Sequence, residues 1–227
     1  MIYNTLMKIL NLLEDSFWKI LIPGLKATIP LTAISFVLSL IIGTITALVQ
    51  FADIKGLKQL ARFYIWVIRG TPLLIQLFVV FYGLPNVGIV IDPFPAAVIV
   101  FSINEGAYSA ETIRGALESV PKGQLEAGYC CGLNFVETMW HVVLPQALRT
   151  AFPSLANSLI AMVKNTSLAA NITVMEMFMV TQQIVARTYQ ALTLYLELAF
   201  IYLMISTVLT KLQTYIENRL NAKGAQR

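Results

Sequence analysis

The sequence has few charged residues and many long apolar runs. Of its 227 residues, 12% are charged and 57% are hydrophobic, and the mean hydropathy is +0.72. A soluble domain of this length normally carries about 25% charged residues. The apolar runs are continuous rather than alternating, which disfavours a transmembrane β-barrel and predicts an all-α polytopic membrane protein.

Sequence motifs for catalysis and metal binding are also missing. There is no glycine-rich nucleotide loop, no metalloprotease or nucleophile-elbow motif and no CxxC pair. The lone His141 has no ligand pattern around it, and the adjacent Cys130 and Cys131 suit neither an ordinary disulfide nor a zinc site. We therefore expect a chain that is not an enzyme and has no catalytic residues, no metal and no cofactor of its own.

Five apolar segments predict five transmembrane helices, covering about 27–51, 63–84, 94–113, 151–174 and 192–212. The second of these is interrupted at Arg69-Gly70-Thr71-Pro72. Residues 1–21 predict an amphipathic helix on the membrane surface, and residues 176–190 predict a loop or a helix that lies near one surface. We treat residues 1–227 as a single transmembrane domain.

The distribution of Lys and Arg predicts the orientation of these spans. Basic residues concentrate between spans one and two, between spans three and four, and after span five. Five spans place these three regions on the same side, which the positive-inside rule makes cytoplasmic. The N-terminus is then outside and the C-terminus inside, and the net charge of +4 does not indicate nucleic acid as a partner.

The segment 118–149 between spans three and four is the longest interior stretch too polar for a bilayer. Pro121 suits the first turn of a short helix, and Gly132 suits the left-handed position that ends it. Asn134 and Glu137 have the spacing of a capping box that opens a second helix, and Pro145 is expected to end that helix. The sequence thus predicts two short cytoplasmic helices with a corner. Gly128 and Gly132 share a face at which another backbone can come close.

Polar residues within the predicted spans are costly in hydrocarbon and indicate a substrate path or a helix partner. We single out six as candidates for the path: Gln76, Asn104, Glu105, Lys164, Thr166 and Ser167. Interhelical hydrogen bonding is an equally good account of Asn104, Glu105, Thr166 and Ser167, and Lys164 suits a structural ion pair. For Arg69, Glu111 and Arg114, a structural ion-pair role is the better interpretation.

Several motifs in order resemble a known family. Glu126-Ala127-Gly128, then Gly132 and Leu144-Pro145, resemble the EAA signature of permease subunits in binding-protein-dependent ABC importers. The similarity to the polar amino acid permeases of the histidine, glutamine and cystine type covers nearly the whole chain. It rests on these stretches: Arg69–Leu74, Ala107–Gly115, Pro121–Gln124, Pro145–Arg149 and Lys164–Leu168.

The resemblance implies a type I importer fold in a prokaryotic cell membrane. It implies a homo- or heterodimer of permeases, two ATPase subunits that bind ATP and Mg, and an extracytoplasmic binding protein that delivers an amino acid. It also implies that 118–149 contains a coupling helix that docks on the ATPase. Its residues would be Lys122, Gln124, Glu126, Ala127, Gly128 and Gly132. Gly128 replaces the second alanine of the signature, and Lys164-Asn165-Thr166-Ser167 replaces the frequent Lys-Asp-Thr-Ser.

The resemblance favours a cystine or other sulfur-containing amino acid as substrate, while cationic amino acids and glutamine stay open. An amino acid needs an acceptor for its ammonium, which Glu105 offers, and donors for its carboxylate, which Asn104, Thr166, Ser167 and Lys164 offer. The alternative is a secondary carrier that works without an ATPase. The absence of a visible inverted repeat argues against it.

Overall fold

The protein is helical throughout the part that the structure describes. This structure is a computed structural model that describes residues 2–53 and 55–224; Met1, Ile54 and residues 225–227 of the predicted 1–227 domain lie outside it. No strand occurs in these ranges. The α-helices are α1 Ile2–Pro23, α2 Ile29–Phe51, α3 Leu57–Arg69, α4 Leu73–Phe78, α5 Pro93–Glu118, α6 Lys122–Cys130, α7 Phe135–Thr138, α8 Leu144–Asn165, α9 Met177–Thr188 and α10 Ala191–Gly224.

Two of the apolar helical stretches are candidate membrane spans by length and composition, Met7–Phe51 and Ala191–Leu220. Two bent pairs raise this number to four within the described residues if each pair forms one span. The pair Leu57–Arg69 and Leu73–Val87 bends by 101°, at the Gly70-Thr71-Pro72 interruption. Helix α5 does not qualify, because Asn104 and Glu105 interrupt its apolar sequence. The count of five spans stays a prediction.

The N-terminal helix and the first predicted span are joined without a loop. Between α1 and α2 the chain continues as a π-helical segment, Gly24–Thr28, so the expected separation of the two elements does not occur. Pro23 is the last residue of α1 and Pro30 is the second of α2, so the two prolines flank the π-helical segment within one continuous helical stretch. Whether α1 lies on a membrane surface stays a prediction.

The predicted end of the second short helix at Pro145 is wrong. Helix α7 continues through a π-helical turn, Met139–Val143, directly into α8, which then passes through Pro153. The π turn shifts the backbone hydrogen bonds to the fifth residue along, which accommodates the missing N–H of Pro145. The fourth predicted span, expected from residue 151, therefore begins inside a helix that already runs from Phe135.

The chain forms two compact units whose boundaries fall inside α2, α4, α5, α8 and α10. Unit 1 comprises Met1–Ser35, Leu74–Val100 and Ile160–Lys211. Its core joins α1, α9 and α10 through the buried residues Ile20, Met177, Leu198 and Ile201. Gly24 lies so close to α9 that a Cβ there would stand 2.5 Å from Sδ of Met177.

Unit 2 comprises Phe36–Leu73, Phe101–Leu159 and Leu212–Arg227. Small residues let α2 and α5 come together: a Cβ added at Gly43 would lie 2.7 Å from Cβ of Ser109 and 3.1 Å from the amide nitrogen of Ala110. Helix α3 crosses the same stretch of α5, where the Tyr64 hydroxyl donates to the Ile103 carbonyl at 2.6 Å. Gly43 and Gly106 therefore serve close contact between helices, since a Cβ added at Gly106 would lie 2.9 Å from Cγ2 of Ile42.

Candidate functional site

Helix α6 has one face buried against its own unit and one face open. Leu125 is half-buried and Gly128 is buried, and they share one side of the helix. The exposed residues include Lys122, Gln124, Glu126 and Ala127, together with Gly123, Tyr129 and Cys130. Five of the six predicted coupling residues are therefore accessible to another protein: Lys122, Gln124, Glu126 and Ala127 on α6, and Gly132 after its end.

Leu125 anchors α6 to the core of unit 2. It lies against a cluster of buried side chains from α2, α5, the segment after α5, the π turn before α8 and α8 itself. The members are Ala47, Ile113, Ala116, Leu117, Val120, Met139, Val143, Ala147 and Ala151. A displacement of α6 is therefore passed to a core that contains the ends of α2, α5 and α8, because close-packed side chains have low compressibility.

Gly128 faces the chain itself rather than a partner. A Cβ added to it would lie 2.5 Å from Cγ2 and 2.8 Å from Oγ1 of Thr138, the last residue of α7. This contact explains why glycine stands where the family signature has alanine. The expectation that Gly128 and Gly132 share one helix face is wrong, because α6 ends at Cys130 and Gly132 lies beyond it. A Cβ added at Gly132 would have no atom within 4 Å, and the approach of another backbone there stays a prediction.

Gly132 ends α6 as the sequence predicts. Its φ is +81°, and its amide donates to the Tyr129 carbonyl at 2.9 Å while the Leu133 amide donates to the Gly128 carbonyl at 3.1 Å. This is a Schellman motif, which satisfies two carbonyls at the helix end. The helix starts one residue later than expected, since Pro121 stands at the N-cap.

The predicted capping box is also confirmed. The Glu137 amide donates to Oδ1 of Asn134 at 3.0 Å, and the Asn134 amide donates to Oε2 of Glu137 at 2.8 Å. A side-chain hydrogen bond also joins α6 to α8, since Nε2 of Gln146 donates to Oε1 of Gln124 at 3.3 Å. These bonds fix the corner between α6 and α7 and thereby the direction in which the open face of α6 points.

Asn104 and Glu105, the path candidates of unit 2, lie on α5. Asn104 is buried and engaged with a neighbouring group. Glu105 is half-buried with the side chains of Ser109 and Ser158 beside its carboxyl group, and its Oε1 has no hydrogen-bond partner among the described residues. A buried carboxylate oxygen without a donor is costly, which makes Glu105 a candidate for binding a donor from a ligand.

Unit 1 contains the other four path candidates. Thr166 is fully buried and donates to the Val163 carbonyl at 2.7 Å, and Ser167 donates to the Lys164 carbonyl at 2.8 Å. Lys164 is exposed, and the ion pairs found among the described residues do not include it. Gln76 is half-buried on α4 and engaged with a neighbouring group.

Two further carboxylates stabilise unit 1. Glu176 is fully buried and caps α9, where its carboxylate accepts from the Met179 amide at 2.7 Å and the Phe178 amide at 2.9 Å. The Tyr202 hydroxyl donates to the same carboxylate at 3.2 Å. Glu197 accepts a hydrogen bond from Ser16 at 2.5 Å, which ties α10 to α1. Both groups are satisfied within the chain.

The interpretation of Glu111 and Arg114 as an ion pair is confirmed. Nη2 of Arg114 lies 3.0 Å from Oε2 of Glu111, and its Nη1 lies 2.7 Å from Oε1 of Glu118. Arg69 joins this network with Nη1 3.6 Å from Glu111 and its guanidinium carbon 5.1 Å from the Tyr108 ring centre. The network connects α3 to α5 within unit 2.

Sequence reasoning missed three residues at the candidate site. Leu125 anchors α6, Thr138 contacts Gly128, and Ser158 lies beside Glu105. Leu125 is the one leucine in the nine residues of α6, and that isolated apolar residue in a polar helix was a usable signal. No local pattern pairs Gly128 with Thr138 or Glu105 with Ser158, because both contacts join distant parts of the chain.

Comparisons with known proteins agree with one another. Residues 39–222 match the family model described as a binding-protein-dependent transport system inner membrane component. The chain is 47% identical over 212 residues to the L-cystine transport system permease protein of Bacillus subtilis (strain 168), covering 93% of this chain and 91% of that one. It is 37% identical over 203 residues to the glutamine transport system permease protein of Escherichia coli (strain K12), covering 88% and 93%.

A solved structure has the same fold. The crystal structure of an amino acid ABC transporter with histidines contains a chain that is 33% identical, with a TM-score of 0.84. The match covers 91% of this chain and 96% of that chain.

Proposed function

The chain belongs to the family of binding-protein-dependent transport system inner membrane components, and on that premise we propose that it is the permease subunit of an ATP-driven amino acid importer. Its partners are two ATPase subunits, a second permease subunit of the same or another sequence, and an extracytoplasmic binding protein. The ATPases bind ATP and Mg. This chain supplies the membrane path and the connection to the ATPases, and its setting is a prokaryotic cell membrane.

We propose that α6 is the coupling helix within a cytoplasmic loop 118–149. The observation that carries the proposal is the orientation of this helix. Its face with Lys122, Glu126 and Ala127 is free, while Leu125 on the opposite side lies in the core that joins α2, α5 and α8. A helix with one anchored and one open face can receive a movement from a partner and pass it to the spans.

The mechanism that follows is alternating access. ATP binding draws the two ATPases together, α6 moves with the surface on which it docks, and the ends of α2, α5 and α8 move through the shared core. The path changes from inward-open to outward-open, and hydrolysis resets it. For the topology we propose five spans with the N-terminus outside, an N-terminal segment 1–21 at the membrane interface, and a single transmembrane domain over 1–227.

We propose that the substrate path includes Asn104 and Glu105, and also Gln76, Lys164, Thr166 and Ser167. Glu105 supplies a carboxylate for the substrate ammonium, and its Oε1 has no internal donor among the described residues. Amide and hydroxyl groups supply donors for the substrate carboxylate. Cystine or another sulfur-containing amino acid is the proposed substrate, supported by the 47% identity to a protein named as an L-cystine permease.

Transport measurements on the reconstituted complex test this function. Proteoliposomes containing this chain, its ATPase and its binding protein are supplied with cystine, methionine, glutamine, histidine or arginine, with and without internal ATP. We expect ATP-dependent uptake that is highest for cystine. If ATP-dependent uptake is highest for another amino acid of the panel, the protein is an importer but cystine is not its preferred substrate. Equal uptake by the permease alone, without ATPase or ATP, would instead establish a secondary carrier.

A further inference from the structure

Unit 2 contains a polar cavity that neither the proposed coupling helix nor the proposed path uses. Its volume is about 330 Å³, and its lining residues are Gln50, Lys58, Arg62, Ile65, Trp66, Glu111, Arg114 and Glu118. Gln50 is the penultimate residue of α2, which closes the candidate span Met7–Phe51. The cavity therefore lies at the end of an apolar span, the level at which lipid headgroups meet the hydrocarbon core.

The charges around this cavity leave a positive excess. Three cations and two carboxylates line it, Lys58, Arg62 and Arg114 against Glu111 and Glu118, which leaves a net charge of +1. Arg114 pairs with both carboxylates, with Nη2 3.0 Å from Glu111 and Nη1 2.7 Å from Glu118. Lys58 and Arg62 are the remaining cations. Arg62 is exposed, and the ion pairs found among the described residues do not include it.

Asp53, a carboxylate outside the lining, competes for these two cations. It accepts a hydrogen bond from Lys58, and this bond lowers the pKa of Asp53, with a smaller contribution from the charge of Arg62. Asp53 is exposed to solvent, so its hold on Lys58 is screened by water and salt. An anion in the cavity therefore gains Arg62 fully and Lys58 in part.

An apolar stripe adjoins the cavity on the same helix. Leu57, Leu60, Phe63 and Trp66 recur every third residue along α3, and each is half or more exposed. Trp66 also lines the cavity, and its ring centre lies 5.9 Å from that of Phe63. Exposed tryptophan beside Lys and Arg is typical of membrane interfaces, where the ring lies at headgroup level.

We infer that this cavity binds the phosphate headgroup of an anionic phospholipid, held by Arg62 and Lys58, with the acyl chains along Leu60, Phe63 and Trp66. Basic residues and an apolar stripe together match a molecule that carries both a phosphate and hydrocarbon chains. A free phosphate would use only the cations, and a neutral phospholipid would use only the stripe. The inference depends on the chain residing in a membrane and on nothing about the transported substrate.

Lipid binding to the full-length chain tests the site. The purified chain in detergent is titrated with phosphatidylglycerol, and bound lipid is counted by native mass spectrometry. A basic residue near an anionic lipid contributes about 1 kcal/mol, or about fivefold in affinity. The double variant Lys58→Gln with Arg62→Gln should therefore bind phosphatidylglycerol about 25-fold more weakly.

The matched control is the double variant Lys26→Gln with Arg187→Gln, which removes two exposed cations from unit 1 and should bind like wild type. Equal affinities in the two double variants would overturn the site. Binding of phosphatidylcholine with the same affinity as phosphatidylglycerol would contradict the role of charge. Full displacement of phosphatidylglycerol by millimolar inorganic phosphate would show that the cavity binds free phosphate rather than a lipid. Arg62→Lys keeps the charge and should keep binding within about fivefold, which separates lost charge from lost folding.

Discussion

Gly128 is the residue that decides which side of α6 is closed. Its missing side chain lets α7 approach until Thr138 occupies the space where a Cβ would be, and this approach turns Leu125 into the core. Thr138 is itself fully buried, so it has no solvent-side alternative. Thr138 therefore fills the space that the side chain of the signature's alanine would occupy at this position.

Gly128→Ala should destabilise the protein, although alanine is the better helix former. The helix-propensity gain is about 1 kcal/mol, whereas a Cβ 2.5 Å from Cγ2 of Thr138 forces α6 and α7 apart. Overpacking of this kind costs about 1–3 kcal/mol. The thermal midpoint of the purified chain should fall for Gly128→Ala.

Gly123→Ala is the matched control, because it lies on the same helix with no atom near its added Cβ. It should leave the midpoint unchanged or raise it. Adding Thr138→Ala to Gly128→Ala should recover part of the loss. A Gly128→Ala protein as stable as Gly123→Ala would contradict the close contact.

Glu105 and Asn104 carry the residue-scale prediction for transport. Glu105→Gln removes the carboxylate proposed for the substrate ammonium, and loss of a charge-assisted hydrogen bond of about 1.5–3 kcal/mol predicts roughly 10- to 150-fold lower uptake. Asn104→Ala should reduce uptake less, since it removes a neutral group. Uptake is measured in proteoliposomes at equal amounts of assembled complex.

Ser167→Ala is the comparison variant among the path candidates of unit 1. The Ser167 hydroxyl already donates to the Lys164 carbonyl, so it has no proton left to donate to a substrate. This variant should lower uptake less than Glu105→Gln. Wild-type uptake by both Glu105→Gln and Asn104→Ala would remove α5 from the proposed path.

At the scale of elements, the corner between α6 and α7 has local causes. The capping box at Asn134 and the left-handed Gly132 both follow from residue type and spacing. Asn134→Ala removes the acceptor for the Glu137 amide and should cost about 1 kcal/mol. The thermal midpoint should fall, while Asn134→Ser, which keeps a capping oxygen, should stay near wild type. Equal midpoints for the two variants would show that the cap contributes nothing to the corner.

Local signals predicted those helix boundaries that depend on residues within one turn. The α6 end at Gly132 and the capping box were readable, because each depends on residues within one turn. The continuation through Pro145 was not, because a π turn is a response of the backbone to tertiary packing and has no sequence signature of its own. The same holds for the π segment Gly24–Thr28, which joins α1 to α2 where a break was expected.

At the scale of the whole molecule, composition and motif order were sufficient for class and family. The apolar content predicted an all-α membrane protein, and the described residues contain no strand. The division into two compact units was not predictable, since it arises from contacts between residues far apart in sequence. The contacts of Leu125, which give α6 one anchored and one free face, were not predictable for the same reason, because they join α6 to distant segments of the chain.

If the free face of α6 binds an ATPase subunit, reversing the charge of Glu126 on that face should weaken the binding. Glu126→Arg exposes no apolar group and leaves Leu125 and Gly128 in place, so the fold should be unchanged. Charge reversal inside a docked interface costs at least about 2 kcal/mol, roughly a 30-fold loss of affinity. Glu14→Arg, the same reversal at an exposed helical position of unit 1, is the matched control.

The measurement is co-purification of the ATPase subunit with the tagged chain after the two are expressed together. We expect the wild-type chain and Glu14→Arg to retain the ATPase. Glu126→Arg should lose both the ATPase and ATP-driven uptake, at equal yield and equal thermal midpoint. Retention of the ATPase by Glu126→Arg at the wild-type level would contradict the assignment of α6 as the coupling helix.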